Sequence, residues 1–193
     1  EMPKLVLASQ SPRRQELLRT LGVDFTVIPA DVDESGIQEE NPEGLAEALA
    51  YAKARWVADR VFDAVVVAAD TIVLLDSGEV LGKPRGREEA VEMLSRLSGQ
   101  GHRVVTGVAI INSGTGQTKV FHETTRVVFR TLSREEIERY VATGEPFDKA
   151  GAYGIQGKGS LLVERIEGCY FNVVGFPLAK VGQALAEFGI FLL

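Results

Sequence analysis

The residues whose types and spacing suit chemistry are few, and they come from separate parts of the chain. Arg13 and Arg14 follow Ser9-Gln-Ser11-Pro12 at the point where a short apolar run gives way to a helical pattern. Free backbone N–H groups at a helix start attract anions, and two guanidinium groups add forked, charge-assisted hydrogen bonds of the kind phosphate oxygens accept. Basic residues there oppose the helix dipole, which points to a ligand; an ordinary surface helix with a basic first turn is the competing reading. Lys53 and Lys83 bring two more cations from other segments. If the four converge they neutralise a triphosphate.

Asp70 is the first catalytic candidate, because it ends the apolar run Ala64-Val-Val-Val-Ala-Ala69 and so stands at a sheet edge where ligands commonly bind. Capping the following turn is its structural alternative. An aspartate with an ordinary pKa of ~3.9 is a poor base for free water, whereas water on a metal ion is far more acidic. A divalent cation is therefore implied. Asp31, Asp33 and Glu34 offer the oxygen ligands that Mg²⁺ or Mn²⁺ prefers, and Glu34 is the favoured ligand beside Asp70, although a solvated acidic loop has the same composition.

Other chemistries fit less well. Gly82-Lys83-Pro84 lacks the upstream glycine spacing of a phosphate-binding P-loop. No G-x-S-x-G elbow occurs, and His102 and His122 both lie in strand-like runs without metal-ligand spacing or a triad context, so both read as structural. The single cysteine, Cys169, excludes an internal disulfide and a multi-cysteine zinc site, fits a reducing compartment, and reads as a packing residue. A formal net charge of −6 argues against a broad nucleic-acid or membrane surface, so the basic residues must act locally. With 45% hydrophobic and 25% charged residues over 193 positions, the composition is that of an ordinary globular protein with a full core. No stretch approaches the ~20 apolar residues of a membrane span, and no signal-peptide pattern precedes or follows Met2, which looks like a natural start behind Glu1; a cytoplasmic protein is expected.

The elements that must position these residues alternate between strand and helix. Residues 5–8 suit a buried strand; Ser11 caps a helix with Pro12 at its first position and Leu17, Leu18 and Leu21 inward, and Gly22 ends it. A short strand at 25–28 leads into the acidic loop. Asn41-Pro42 opens a helix to about residue 59 whose apolar stripe is Leu45, Leu49, Ala52 and Trp56, with Lys53 at the stripe's edge, where it reaches a cleft or snorkels to water. Strand 64–69 ends at Asp70, and 71–75 with 80–84 form a hairpin about Asp76-Ser-Gly78. A helix at 87–97 and a long hairpin of 102–112 with 117–130 follow. Ser133-Arg-Glu-Glu136 is a capping box. The glycine-dense stretch 151–159 has no helical period and permits close backbone approach to a ligand; strand 161–166 and a helix opened by Pro177 complete the chain. No repeat or linker marks a domain boundary, so 1–193 reads as one domain.

Four segments, in order and at compatible spacing, closely resemble the Maf family: Leu7-Ala-Ser9-Gln-Ser11-Pro-Arg13-Arg14; Ala68-Ala-Asp70-Thr71 with Gly82-Lys83-Pro84; Asp148-Lys149-Ala-Gly-Ala-Tyr-Gly154-Ile-Gln156-Gly157; and Asn172-Val-Val-Gly175-Phe-Pro177. The resemblance spans nearly the whole chain. It implies a nucleoside triphosphate pyrophosphatase that cleaves between the α- and β-phosphates using a divalent cation, with a house-cleaning role against non-standard nucleotides. The implied α/β fold is an elongated, curved mixed β-sheet flanked by helices, two lobes around a cleft, similar to inosine triphosphate pyrophosphatases. By the same resemblance Asp70 is the general base, and Ser9, Arg13, Arg14, Lys53 and Lys83 hold the phosphates. Arg13, Thr71 and Gln156 together resemble the group that prefers dTTP and UTP. Gln156 gives this a physical basis, since a carboxamide pairs donor and acceptor with the adjacent carbonyl and N–H of a uracil or thymine edge. The group that prefers 7-methylguanosine triphosphate differs at these positions and is the alternative. Phe176 replaces the leucine usual before the proline, which should affect packing more than chemistry. A homodimer fits the resemblance, and a nucleotide-binding regulator of septum formation is the reading from a different functional class.

Overall fold

The computed structural model describes residues 2–193; Glu1, placed ahead of the expected start at Met2, lies outside the described residues. The elements in chain order are β1 (Lys4–Leu7), α1 (Pro12–Thr20), β2 (Thr26–Val27), α2 (Pro42–Ala58), β3 (Ala64–Leu75), β4 (Val80–Leu81), α3 (Arg87–Leu97), β5 (Gly101–Asn112), β6 (Thr118–Phe129), α4 (Arg134–Ala142), β7 (Val163–Glu167), α5 (Tyr170–Val174) and α6 (Leu178–Ala186). Short 3₁₀ turns fill the acidic loop and the glycine-dense stretch. The strands make one seven-stranded mixed sheet in the order β2-β1-β3-β5-β6-β7, with β4 paired to β3. β1 runs parallel to β2 and β3, whereas β3–β4 and β6–β7 are antiparallel. The expected α/β class, a mixed sheet with flanking helices, is the class found.

Two compact units divide the chain. The first contains the residues through Asp70 together with Thr106–Glu123 and Gly175–Leu193; the second contains Thr71–Val105 and Thr124–Val174.

In the first unit, Ala64, Val66 and Ala68 of β3 pack with Val6 and Ala8, with Ala109 and Ile111, and with Ala50, Ala54 and Val57 of α2. Val65 and Val67, pointing the other way, are equally buried, which is why the run is continuously apolar. The face that α2 buries is not the expected one. Ala46, Leu49, Ala50, Ala54 and Val57 are inside, while Leu45, Ala52 and Trp56 are only half-buried. Small residues win because the helix lies so close to β5 that a Cβ on Gly107 would fall 2.3 Å from the Ala46 carbonyl group. Trp56 instead stacks under the Arg60 guanidinium, 3.7 Å from its ring centroid, at the surface. Lys53 moves with this rotation: positions 46, 50, 53 and 57 fall at i, i+4, i+7 and i+11, so the lysine stands within the buried face rather than at its edge.

Asp70 also sits differently from expectation. It interrupts the hydropathy of β3 but not its backbone, which continues unbroken to Leu75. On the pairing side β3 bonds to β1 through Val67 and to β4 from Val73, so Asp70 lies in the interval between a parallel and an antiparallel partner.

The second unit has its own core, in which Ala90, Leu94 and Leu97 of α3 and Ile137, Tyr140 and Val141 of α4 surround Val73, Val104, Val127, Phe129, Tyr153 and Leu162. The capping box of α4 is complete, with Ser133 and Glu136 each accepting the other's backbone N–H. Buried Asn172, on the unforeseen α5, donates to the Val104 carbonyl and to Thr125 Oγ1. The final strand begins at Val163, because Gly157–Leu161 coils into a 3₁₀ turn. Close backbone approach in the glycine-dense stretch serves the chain itself: a Cβ on Gly159 would lie 1.6 Å from the Gly154 carbonyl oxygen.

Candidate active site

The first unit assembles its charged groups at the end of the parallel β1–β3 pair. After Leu7, the Ala8 N–H bonds to the Val67 carbonyl and the chain turns; Ser9, nearly buried, accepts the Ser11 N–H on its hydroxyl at 3.1 Å. Ser11 caps α1 by accepting the Arg14 N–H, and Pro12 fills the first helical position. No acidic residue occupies that first turn, so Arg13 and Arg14 place two cations at the helix start with no carboxylate beside them in the same turn. Arg14 is half-buried, its Nε donating to the Gly175 carbonyl at 2.7 Å. Burial pushes its guanidinium down to about 10, the Asp70 charge pulls it back up, and the Arg13 charge adds to the fall. Arg14 thus feels both the Asp70 carboxylate and the Arg13 guanidinium.

Lys53 joins two carboxylates. Its Nζ lies 2.7 Å from Asp70 Oδ1 and 3.0 Å from Glu34 Oε1. The side chains of Lys53 and Asp70 keep 21% and 15% exposure and that of Glu34 keeps 51%, so the lysine–aspartate contact is the shielded one. Glu34 opens a 3₁₀ turn whose cap, Asp33, accepts the backbone N–H and hydroxyl of Ser35 on Oδ1. Those bonds, the hydroxyl first, lower the Asp33 carboxyl and commit it to the turn, while Asp31 is exposed. Glu34 is the member of the acidic cluster in contact with Asp70's partner. Among the described residues no group of three or more His, Cys, Asp or Glu side chains is placed to hold a metal ion. The donor set is two carboxylates gathered on one ammonium. That chemistry suits Mg²⁺ or Mn²⁺, which commonly take one or two carboxylates and complete their shell with water and substrate phosphates.

Thr71, Lys83 and Gln156 belong to the second unit. Thr71 follows Asp70 in β3 and is half-buried; Lys83 is exposed just beyond β4, where the Gly82 carbonyl accepts the Gly151 N–H at 3.1 Å; Gln156 is exposed and precedes the turn Gly157–Leu161. Three features had no sequence signal: the Gly175 carbonyl that fixes Arg14, the sharing of Lys53 between Glu34 and Asp70, and the bonds that surround Gln156. Each joins residues that local pattern does not connect. Of the two histidines, His102 is fully buried with Nε2 2.6 Å from the Tyr153 hydroxyl, and His122 Nδ1 lies 3.3 Å from Glu47 Oε2.

A mixed sheet carrying a carboxylate beside a basic helix start, where parallel pairing ends, defines an α/β protein built to engage a phosphorylated ligand. The chain belongs to the Maf family: the family of Maf-like proteins matches residues 4–188. Its relatives include the dTTP/UTP pyrophosphatase of Moorella thermoacetica, 56% identical over 98% of this chain and 97% of that protein. Those of Symbiobacterium thermophilum (54% identical, 97% and 95% covered) and Desulforamulus reducens (51%, 98% and 98%) carry the same name. Among solved structures, the Ham1 protein of Staphylococcus aureus matches with a TM-score of 0.55 at 18% identity, covering 97% of this chain and 100% of that one. A HAM1 protein from Coxiella burnetii matches with a TM-score of 0.55 at 16% identity, covering 96% and 100%. These two share the fold. No helix among the described residues is long and apolar enough to cross a membrane.

Proposed function

We propose that this protein hydrolyses dTTP and UTP to the monophosphate and pyrophosphate. The observation that carries this reading is the Glu34–Lys53–Asp70 arrangement beside Arg13 and Arg14, and the names of its close relatives support the substrate. In the reaction a water oxygen attacks the α-phosphorus, the bond to the bridging oxygen breaks, and pyrophosphate leaves with the bond's electron pair. Asp70 orients the water and accepts its proton. Arg13, Arg14 and Lys53 offset the charge of the polyphosphate, and their value is greatest against the charge that grows on the leaving group. Ser9 adds a nearly buried hydroxyl to the same turn. Asp70 and Glu34 would hold the divalent cation, Mg²⁺ or Mn²⁺, which when bound supplies Lewis-acid polarisation and a more acidic water. By the family resemblance Lys83 is a further phosphate-binding residue, and Thr71 and Gln156 are the ones that select the base.

Asp70→Asn tests the assignment, because it keeps the shape and removes the basic oxygen. Folding should be retained, and pyrophosphate release from UTP should fall by about 10²-fold or more. A variant that released pyrophosphate at the parent rate would remove Asp70 from its role. Release of orthophosphate and a diphosphate by the parent protein would identify a phosphatase instead, and preferential cleavage of 7-methylguanosine triphosphate would move the chain to the other substrate group. A homodimer in the cytoplasm, where triphosphate pools are held, is the setting that suits this activity.

A further inference from the structure

Gln156 is exposed, yet the backbone on both sides of it is tied down. On the N-terminal side the Tyr153 hydroxyl meets His102 Nε2 at 2.6 Å inside the second unit's core, and the Gly154 N–H donates to the Tyr140 hydroxyl at 3.3 Å. The Tyr153 ring is locked edge-on against Phe129 and His102, with centroid separations of 4.7 and 5.4 Å. On the C-terminal side the Glu145 carboxylate accepts two successive backbone N–H groups, Lys158 at 3.1 Å on Oε2 and Gly159 at 3.3 Å on Oε1. Gly157, at φ +62°, makes the turn that aims both N–H groups at one carboxylate. Gly159 and Gly154 then touch backbone to backbone, closing the segment on itself.

We infer that Glu145 and the His102–Tyr153 pair are positioning residues for nucleobase selection, holding the segment that carries Gln156 so that its carboxamide reaches the imide edge of uracil or thymine from a fixed backbone. This rests on the proposed role of Gln156. A flexible segment would lose its freedom only when the base binds, and that cost would weaken the very contacts that separate uracil from cytosine. A carboxamide discriminates donor from acceptor only when its plane is held within roughly 10–20° of the productive orientation. Two anchors flanking that exposed side chain fix the backbone from which it projects, leaving only its own torsions to be set by the base. The Glu145 carboxylate serves it better than water would, since its two oxygens each take one N–H in charge-assisted bonds.

The experiment is a comparison of kcat and KM for UTP and CTP, with pyrophosphate as the measured product, in the parent protein and in Gln156→Ala, Glu145→Ala, Glu145→Gln and Tyr153→Phe. Glu145→Ala should raise KM for UTP by about tenfold, the equivalent of one lost charge-assisted hydrogen bond, while kcat moves less. The UTP-to-CTP ratio of kcat/KM should fall in the same variant. Glu145→Gln keeps one carbonyl acceptor and should recover part of that ratio, and Tyr153→Phe, which removes only a hydroxyl, should lower it. A lowered ratio in Gln156→Ala with parent ratios in Glu145→Ala and Tyr153→Phe overturns the inference and leaves the base-reading role of Gln156 standing. An unchanged ratio in Gln156→Ala overturns that role and the inference together, while pyrophosphate release from UTP still stands on Asp70.

Discussion

His102 gives the sharpest handle on the second unit, because it is a titratable group enclosed where its charged form is poorly tolerated. Burial, assisted by the Arg126 charge and opposed by Asp76, pushes its pKa down to about 4 from an ordinary 6.5. Nδ1 is buried without a hydrogen-bond partner, so no acceptor waits to stabilise an imidazolium. The sign follows directly. The native state keeps His102 neutral, whereas the unfolded chain takes up a proton below pH ~6.5, so stability is whole above that pH and drains away as the pH falls toward 4. Across that window the loss amounts to about 3 kcal/mol, from 2.5 pH units at ~1.36 kcal/mol each. For a chain of this length 1 kcal/mol moves the melting temperature by roughly 2–4 °C. Thermal unfolding at pH 7 and pH 4.5 should therefore show the parent protein falling by roughly 5–10 °C more than His102→Gln, which keeps a polar group for Tyr153 but does not titrate. Carboxylates elsewhere, Glu136 included, titrate in both proteins and cancel in the comparison. Two curves that decline in parallel would mean that the imidazole is hydrated or paired, and would refute the reasoning.

Two further outcomes test the first unit. Gly107→Ala puts a methyl group 2.3 Å from the Ala46 carbonyl and 2.5 Å from the Glu47 nitrogen, contacts with backbone that cannot swing aside; overpacking should cost about 1–3 kcal/mol and several degrees of melting temperature, and an unchanged melt would show that α2 rides higher on the sheet. Lys53→Met keeps the apolar stem but leaves Asp70 and Glu34 without their shared ammonium; UTP turnover should drop by about 10²-fold with secondary structure intact by circular dichroism, and turnover near the parent level would count against a role for the lysine.

Local chemistry was legible in the sequence and spatial pairing was not. Ser11 with Pro12, Asn41 with Pro42, and Ser133 with Glu136 each announce a helix start within four residues, and each caps the expected helix. The buried run before Asp70 was equally plain. The extended stretch 71–75 follows as expected, but as the same strand with no break at Asp70, because one carboxylate changes hydropathy without interrupting the backbone. The face of α2 differs for a related reason: periodicity points to Leu45, Leu49, Ala52 and Trp56 as the inner stripe, whereas proximity to Gly107 turns Ala46, Ala50 and Ala54 inward and keeps only Leu49 of that stripe buried. Residue types named Lys53, Glu34 and Asp70 as candidates, but nothing in a linear string says that one lysine would sit on two acids. The glycines of 151–159 were seen to permit close approach; that the approaching group is the chain's own backbone needed coordinates.

The bond from Arg14 to the Gly175 carbonyl spans 161 positions, and it ties the helix after the first strand to the segment before the last helix. During synthesis the first strand and helix leave the ribosome well before the residue that accepts this bond. A fragment stopping just short of Gly175 would carry every side chain named for the site, from Ser9 to Gln156, and lack the carbonyl to which Arg14 Nε donates. One contact that steadies a phosphate-facing cation is therefore made only after residue 175 has been synthesised.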